Sequence, residues 1–202
     1  YEIEGKYHEA IERYKKVASL APLNTEAHVR RGQLFYRMGD TDSAIQQNRV
    51  LMRLMVNSPE PYLRNFSIYV SEKNYDKAAQ VLKEAIRRGL SGPVIYSSLG
   101  FLSGLQGDYR KAVEYYEVAA EEAPDQDIYK FYMASALHRA GRAREAVNAL
   151  EELVSRDTDL PEVYNYLGYV YVIGNRQIDR AIELIKKALS MDPGNGAYLD
   201  SL

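Results

Sequence analysis

The chain has 202 residues, of which 46% are hydrophobic and 27% charged, the composition of a folded globular protein rather than a disordered one. Its 26 basic and 28 acidic residues are distributed along the whole length and give a formal charge of −2, which leaves no cationic surplus and argues against a nucleic-acid partner. It has no cysteine, which excludes disulfides, thiolate catalysis and cysteine metal sites and leaves cytoplasm and bacterial periplasm both open.

The first phrase with a clear pattern is GKYHEAIERYKKVASLAP at residues 5–22, and it returns as GDYRKAVEYYEVAAEEAP at 107–124. The two starts lie three times 34 residues apart, and alanines at 10, 44, 78, 112, 146 and 181 fill in the intervening beats. Turn positions follow at Gly5, Gly39, Lys73, Gly107, Gly141 and Asn175, and Pro22, Pro124 and Pro193 close three copies. A period of this length marks a stacked repeat. Taken in order, the copies are a partial one over 1–24, then 25–58, 59–92, 93–126, 127–160 and 161–195, with 196–202 opening another.

Each full copy predicts two helices. Tyr96, Leu99, Gly100 and Ser103 recur at helical spacing before Gly107, and Tyr109, Ala112, Tyr116, Ala119 and Ala120 do so after it. Ser58-Pro59-Glu60 predicts a helix start, with Ser58 as the cap and Pro59 at the first helical position. Gly32, Gly100, Ala134 and Gly168 stand 12 or 13 residues before the matching alanine, so small residues meet where the two helices cross. One hairpin cannot cover its own apolar stripe, and stacking on neighbours buries it. The expected fold is therefore all-α, a solenoid or α-α superhelix of stacked antiparallel helical hairpins forming a single array. The uncharged run Gly89 to Gly107 contains five glycines, four serines and Pro93, too few apolar residues for a membrane span.

These residues resemble the tetratricopeptide repeats. The family pattern is carried best by Tyr96, Leu99, Gly100, Gly107, Tyr109, Ala112, Tyr116, Ala119 and Pro124, and again by Tyr164, Leu167, Gly168, Tyr171, Ala181, Ala188 and Pro193. Copies two and three depart from it, with Arg31 and Asn65 in leucine slots, Phe66 in a small slot, and Asn48 and Val56 in place of an aromatic and a proline. Copy six carries one additional residue in the turn from Asn175 to Ile178, expected to bulge. Tyr1 and Leu202 fall on slots inside first helices, which raises head-to-tail self-association through the two ends. The style of YNYLGYVYV and DPGNGAYLDSL resembles bacterial sequences.

The resemblance implies a concave groove lined by the first helix of each pair, where a peptide or helical segment of another protein lies. The groove slots hold Gln33, Tyr36 and Arg37, then Leu63 and Val70, Phe101 and Leu105, Phe131, His138 and Arg139, and Asn165 and Tyr169. Phe101, Phe131 and Tyr169 are the expected anchors, with Gln33, Arg37, Arg139 and Asn165 supplying polar specificity. The alternative is that half of these side chains are covered by the adjoining helix. The lysine and asparagine clamp that holds acidic chaperone C-termini in some relatives is absent, and so is an asparagine ladder, because that slot reads Arg30, Arg64, Ser98, Tyr132 and Tyr166.

No constellation for catalysis, cofactor or metal emerges. His8, His28 and His138 lie in different repeats, His28 in a packing slot and His138 in the groove, and the tyrosines fall mainly on packing slots. Glu121-Glu122 and Glu151-Glu152 face outward as solvated charge. Three functions stay open: a non-enzymatic scaffold for protein segments, a recruiting or regulatory arm of a larger enzyme, and a self-assembly module.

Overall fold

The computed structural model describes residues 2–175 and 177–201, with side chains from Gly5 onward. Among the described residues the chain is wholly helical, twelve helices and no strand. It divides into two compact units, 1–91 and 92–202.

The first unit holds α1 (Glu2–Leu20), α2 (Thr25–Arg37), α3 (Thr41–Leu54), α4 (Glu60–Ser71) and α5 (Tyr75–Arg87). Each helix packs on its neighbour in sequence. Asn24, Asp40 and Asn74 cap α2, α3 and α5 by accepting the N–H groups of Ala27, Ser43 and Lys77 at 3.0, 3.0 and 3.3 Å. Ala27, Ala44, Ala78 and Ala85 are almost fully buried and let the backbones approach, while Leu51, Tyr62 and Leu82 fill the space between them.

Two local expectations are corrected here. Gly5 is not a turn, because α1 runs through it without interruption. A left-handed residue is needed only where the chain reverses between two packed helices, and at Gly5 the helix continues in one direction. At α4 the helix begins one residue later than expected: Pro59 takes the cap position, Pro61 lies in the first turn, and Ser58 accepts the Glu60 N–H at 3.3 Å.

The second unit holds α6 (Pro93–Leu105), α7 (Tyr109–Glu122), α8 (Asp127–Arg139), α9 (Ala143–Ser155), α10 (Pro161–Ile173), α11 (Ile178–Met191) and the short α12 (Gly196–Leu199). Gly107 turns the chain between α6 and α7 with φ +80°, a region that a side chain disfavours, and Asp108 then caps α7 through Lys111 N at 3.1 Å. Its core runs through Ala134, Leu150, Leu153, Val163, Leu167, Ala181, Leu184 and Ala188. A Cβ on Gly168 would stand 3.0 Å from the Ala181 carbonyl oxygen and 2.7 Å from Ile185 Cγ1, so α10 and α11 cross where only glycine fits.

Arg176, within the turn expected to bulge, lies outside the described residues, as do Tyr1 and Leu202. The flanking Asn175 and Gln177 both take left-handed conformations, with φ of 49° and 47°. No helix of the described residues is long and apolar enough to cross a membrane.

Candidate functional site

In the second unit, α6, α8 and α10 carry the aromatic residues that the repeat frame assigns to the groove. Phe101 is 48% exposed and Leu105 44% on α6, and Tyr169 is 44% exposed on α10. Side chains of this size are normally withdrawn from water, and Val172 and Ile173 on the same helix are exposed as well. Phe131 on α8 differs. It is half-buried, packs against the core cluster of the unit, and meets Tyr166 edge-on at 5.9 Å between centroids.

A cavity of about 330 Å³ opens between α6 and α8 over the start of α7, lined by Phe101, Leu105, Tyr109, Tyr116, Tyr132 and Arg139 among others. Its aromatic wall continues as a chain of ring contacts. Tyr116 meets Tyr132 at 5.5 Å, Tyr132 meets Phe131 at 5.9 Å, and Tyr166 meets Tyr169 at 6.1 Å. Arg139 holds its guanidinium 4.7 Å from the centre of the Tyr109 ring. The structure thus brings Phe101, Leu105 and Arg139 together in one cavity and places Phe131, His138 and Tyr169 around Tyr166.

The polar groups of this face are phenols, the Arg139 guanidinium, the Asn165 amide and the His138 imidazole. His138 Nδ1 and the Tyr166 hydroxyl lie 2.9 Å apart. Burial pushes the Tyr116 phenol up to about 12, with a smaller contribution from Tyr132 beside it. Burial also raises Tyr166, opposed by a Ser135 hydrogen bond and by the nearby charge of Arg139. Both tyrosines therefore stay protonated near neutrality. Asn165 is half-buried, and its Oδ1 is shielded from solvent with no hydrogen-bond partner.

In the first unit, Gln33 and Tyr36 of α2 face Arg64 and Ser67 of α4 across a smaller cavity of about 210 Å³. Arg37 is exposed on α2, whereas Leu63 and Val70 are half-buried on α4, and none of the three lines that cavity. His28 is 8% exposed, with Nδ1 3.1 Å from Gln47 Oε1, which makes it a satisfied core residue.

Four residues of the aromatic wall are not among the groove slots read from the sequence: Tyr109, Tyr116, Tyr132 and Tyr166. The signal for two of them was present, since Tyr132 and Tyr166 recur at 34 residues directly beside slots read as groove. The outward acidic pair Glu151-Glu152 is also less free than its position implies. Tyr171 donates to Glu151, and Glu152 pairs with Lys130 and, at 2.6 Å, with Arg156. Among the described residues no cluster of His, Asp or Glu has the arrangement to hold a metal ion.

Four family models match the chain. One described as TPR repeat covers 1–39, and three described as Tetratricopeptide repeat cover 63–127, 105–167 and 161–195. Protein O-mannosyl-transferase TMTC1 of Homo sapiens is 29% identical over 142 residues, which is 68% of the chain but 16% of that protein. Among solved structures, yeast Tom70 matches with a TM-score of 0.76 at 20% identity, over 95% of this chain and 41% of that one. YrrB, described as a TPR protein with an unusual peptide-binding site, matches with a TM-score of 0.64 at 17% identity, over 95% of this chain and 98% of its own. The chain thus spans a small part of the curated relative and less than half of Tom70.

Proposed function

Because the chain belongs to the tetratricopeptide repeat proteins, we propose that it is a non-enzymatic scaffold that holds a peptide or helical segment of another protein against the first helices of its hairpins. The observation that carries this reading is the exposure of Phe101, Leu105 and Tyr169 beside the 330 Å³ cavity of the second unit. Apolar side chains of the partner would fill the space between Phe101 and Tyr132, and burial of that surface supplies affinity at about 25 cal/mol per Å² before the costs of association. Arg139, His138 and Asn165 supply the donors and acceptors that fix register in the second unit, and Gln33, Tyr36 and Arg37 offer polar groups on α2 of the first. The peptide-binding site described for YrrB supports the same use of the fold.

The test is capture by the intact chain with a photo-crosslinking residue placed at Phe101, followed by mass spectrometry of the adducts. Recurrent adducts from one protein segment, lost in the Phe101→Ala, Tyr169→Ala double variant at unchanged helical content, are the expected result. Adducts that persist in the double variant would show that this face is not the binding surface.

A second reading is supported by the match to an O-mannosyl-transferase of which the chain spans only 16%. The same repeats would then serve as the recruiting arm of a larger enzyme. The two readings differ in what lies beside these residues in the complete polypeptide, not in how the groove works.

A further inference from the structure

A cleft of the first unit lies on the face of α4 turned away from Ser67. It has a volume of about 710 Å³ and is walled by the second helices α3 and α5. Its floor consists of Met52, Asn65, Tyr69 and Val81, all buried. Its rim carries five cations, Arg49, Arg53, Lys77, Arg87 and Arg88, against the single carboxylate of Glu84. Glu84 is already taken by Arg88 at 2.9 Å, and Lys77 sits over the Tyr69 ring at 5.7 Å. Arg49, Arg53 and Arg87 are exposed and have no ion-pair partner among the described residues.

This charge is not a property of the repeat. Two periods further along, α7, α8 and α9 build the matching cleft in the second unit, of about 350 Å³. There the slots of Arg49 and Arg53 hold Glu117 and Glu121, and the cations Lys130 and Arg156 are both paired with Glu152. The charge reversal extends to the whole units. Residues 1–91 carry fifteen basic and eleven acidic side chains, and residues 92–202 carry eleven and seventeen, a difference concealed by the overall −2. Like charges gathered around one cleft repel and raise the energy of the unliganded state, which an anionic ligand relieves.

We propose that this cleft binds an acidic peptide segment, independently of the aromatic face of the second unit. Three unpaired guanidinium groups match carboxylates in bidentate geometry. The apolar floor of Met52 and Val81 matches an aliphatic side chain between those carboxylates. A nucleic acid is the poorer fit, because it requires a cationic track along many phosphates and exposed rings for base stacking. Here the five cations ring a single cleft, and the ring among its lining residues, Tyr69, is 9% exposed.

The experiment uses the intact chain and fluorescence anisotropy with a short labelled peptide of acidic residues around a central leucine. Its Asn and Gln counterpart and a single-stranded DNA oligonucleotide of equal charge are the comparison probes. The acidic peptide is expected to bind, to weaken as salt rises, and to lose at least about tenfold in affinity with Arg53→Gln plus Arg87→Gln, or with Arg49→Gln should the double variant fail to fold. Lys83→Gln, an exposed cation of α5 outside the cleft, is expected to change nothing. No binding, equal binding of the neutral peptide, an equal loss with Lys83→Gln, or tighter binding of the oligonucleotide would each overturn the proposal.

Discussion

Arg139 lies with its guanidinium 4.7 Å above the centre of the Tyr109 ring, tying the last turn of α8 to the first turn of α7 at the mouth of the aromatic cavity. Arg139 and Tyr109 are thereby held in place before any partner arrives. A double-mutant cycle with Arg139→Met and Tyr109→Leu, read by urea unfolding, should return a coupling of about 0.5–1 kcal/mol. A coupling indistinguishable from zero would mean the two side chains are neighbours without interaction.

Phe101 and Phe131 should separate stability from recognition. Phe131 packs on the core cluster and on Tyr166, so Phe131→Ala should lower unfolding free energy by roughly 1–3 kcal/mol. Phe101, 48% exposed, should cost under about 1 kcal/mol when truncated. Thermal melts of the two single variants check the contrast, and equal losses would contradict the packing described for α8.

The departures at Asn48 and Asn65 compensate one another. They are 5% and 2% exposed, and Asn48 Nδ2 donates to Asn65 Oδ1 at 2.8 Å. Asn65→Leu alone leaves the buried Asn48 donor without its acceptor and should cost about 1–3 kcal/mol. Asn48→Leu with Asn65→Leu should recover most of that loss, because neither polar group remains. Chemical denaturation of the single and double variants decides it, and additive losses would rule the coupling out.

High pH should unfold the chain through its buried phenols. Tyr116 and Tyr171 are both pushed up to about 12, each chiefly by burial, with Tyr132 adding to the first and the hydrogen bond to Glu151 to the second. An unfolded tyrosine ionises near 10, so the folded state is favoured fully below that value and the advantage disappears as pH rises towards 12. Stability measured in denaturant should hold from pH 7 to 9 and fall between about 10 and 12, and Tyr116→Phe should flatten the fall. An unchanged profile in that variant would assign the alkaline transition to other groups.

Gly168→Ala should destabilise the second unit by about 1–3 kcal/mol, since the new methyl group would press on the Ala181 carbonyl oxygen as well as on Ile185. The isoleucine can yield but the helix backbone cannot do so cheaply. Calorimetry on this variant and on Gly194→Ala, where nothing lies within 4 Å of the added Cβ, provides the comparison.

The helical hairpins were legible in the sequence because their requirements are local and repeat. Ala44, Ala78, Ala112, Ala146 and Ala181 fall on the period because each sits where two backbones nearly touch, and all five are essentially inaccessible. Gly5 shows the limit of the pattern, since the same letter in the same slot lies inside a continuous helix. The groove was legible by slot but not by degree of burial. Phe101 and Phe131 both fall in groove slots, matched one period away by Ser135 and Ser97, yet Phe101 is open while Phe131 packs on the core cluster and on Tyr166, a contact that the slot alone does not give. The pairing of Asn48 with Asn65 spans two helices, and no one-dimensional pattern connects them.

Arg49 and Glu117 stand at the same repeat position on helices that pack in the same way. The architecture is indifferent to the sign carried there, because an exposed side chain at that place contributes almost nothing to holding the hairpins together. The sign of the charge at each cleft can therefore change while the skeleton stays still, so that one polypeptide presents opposite electrical characters at matching places.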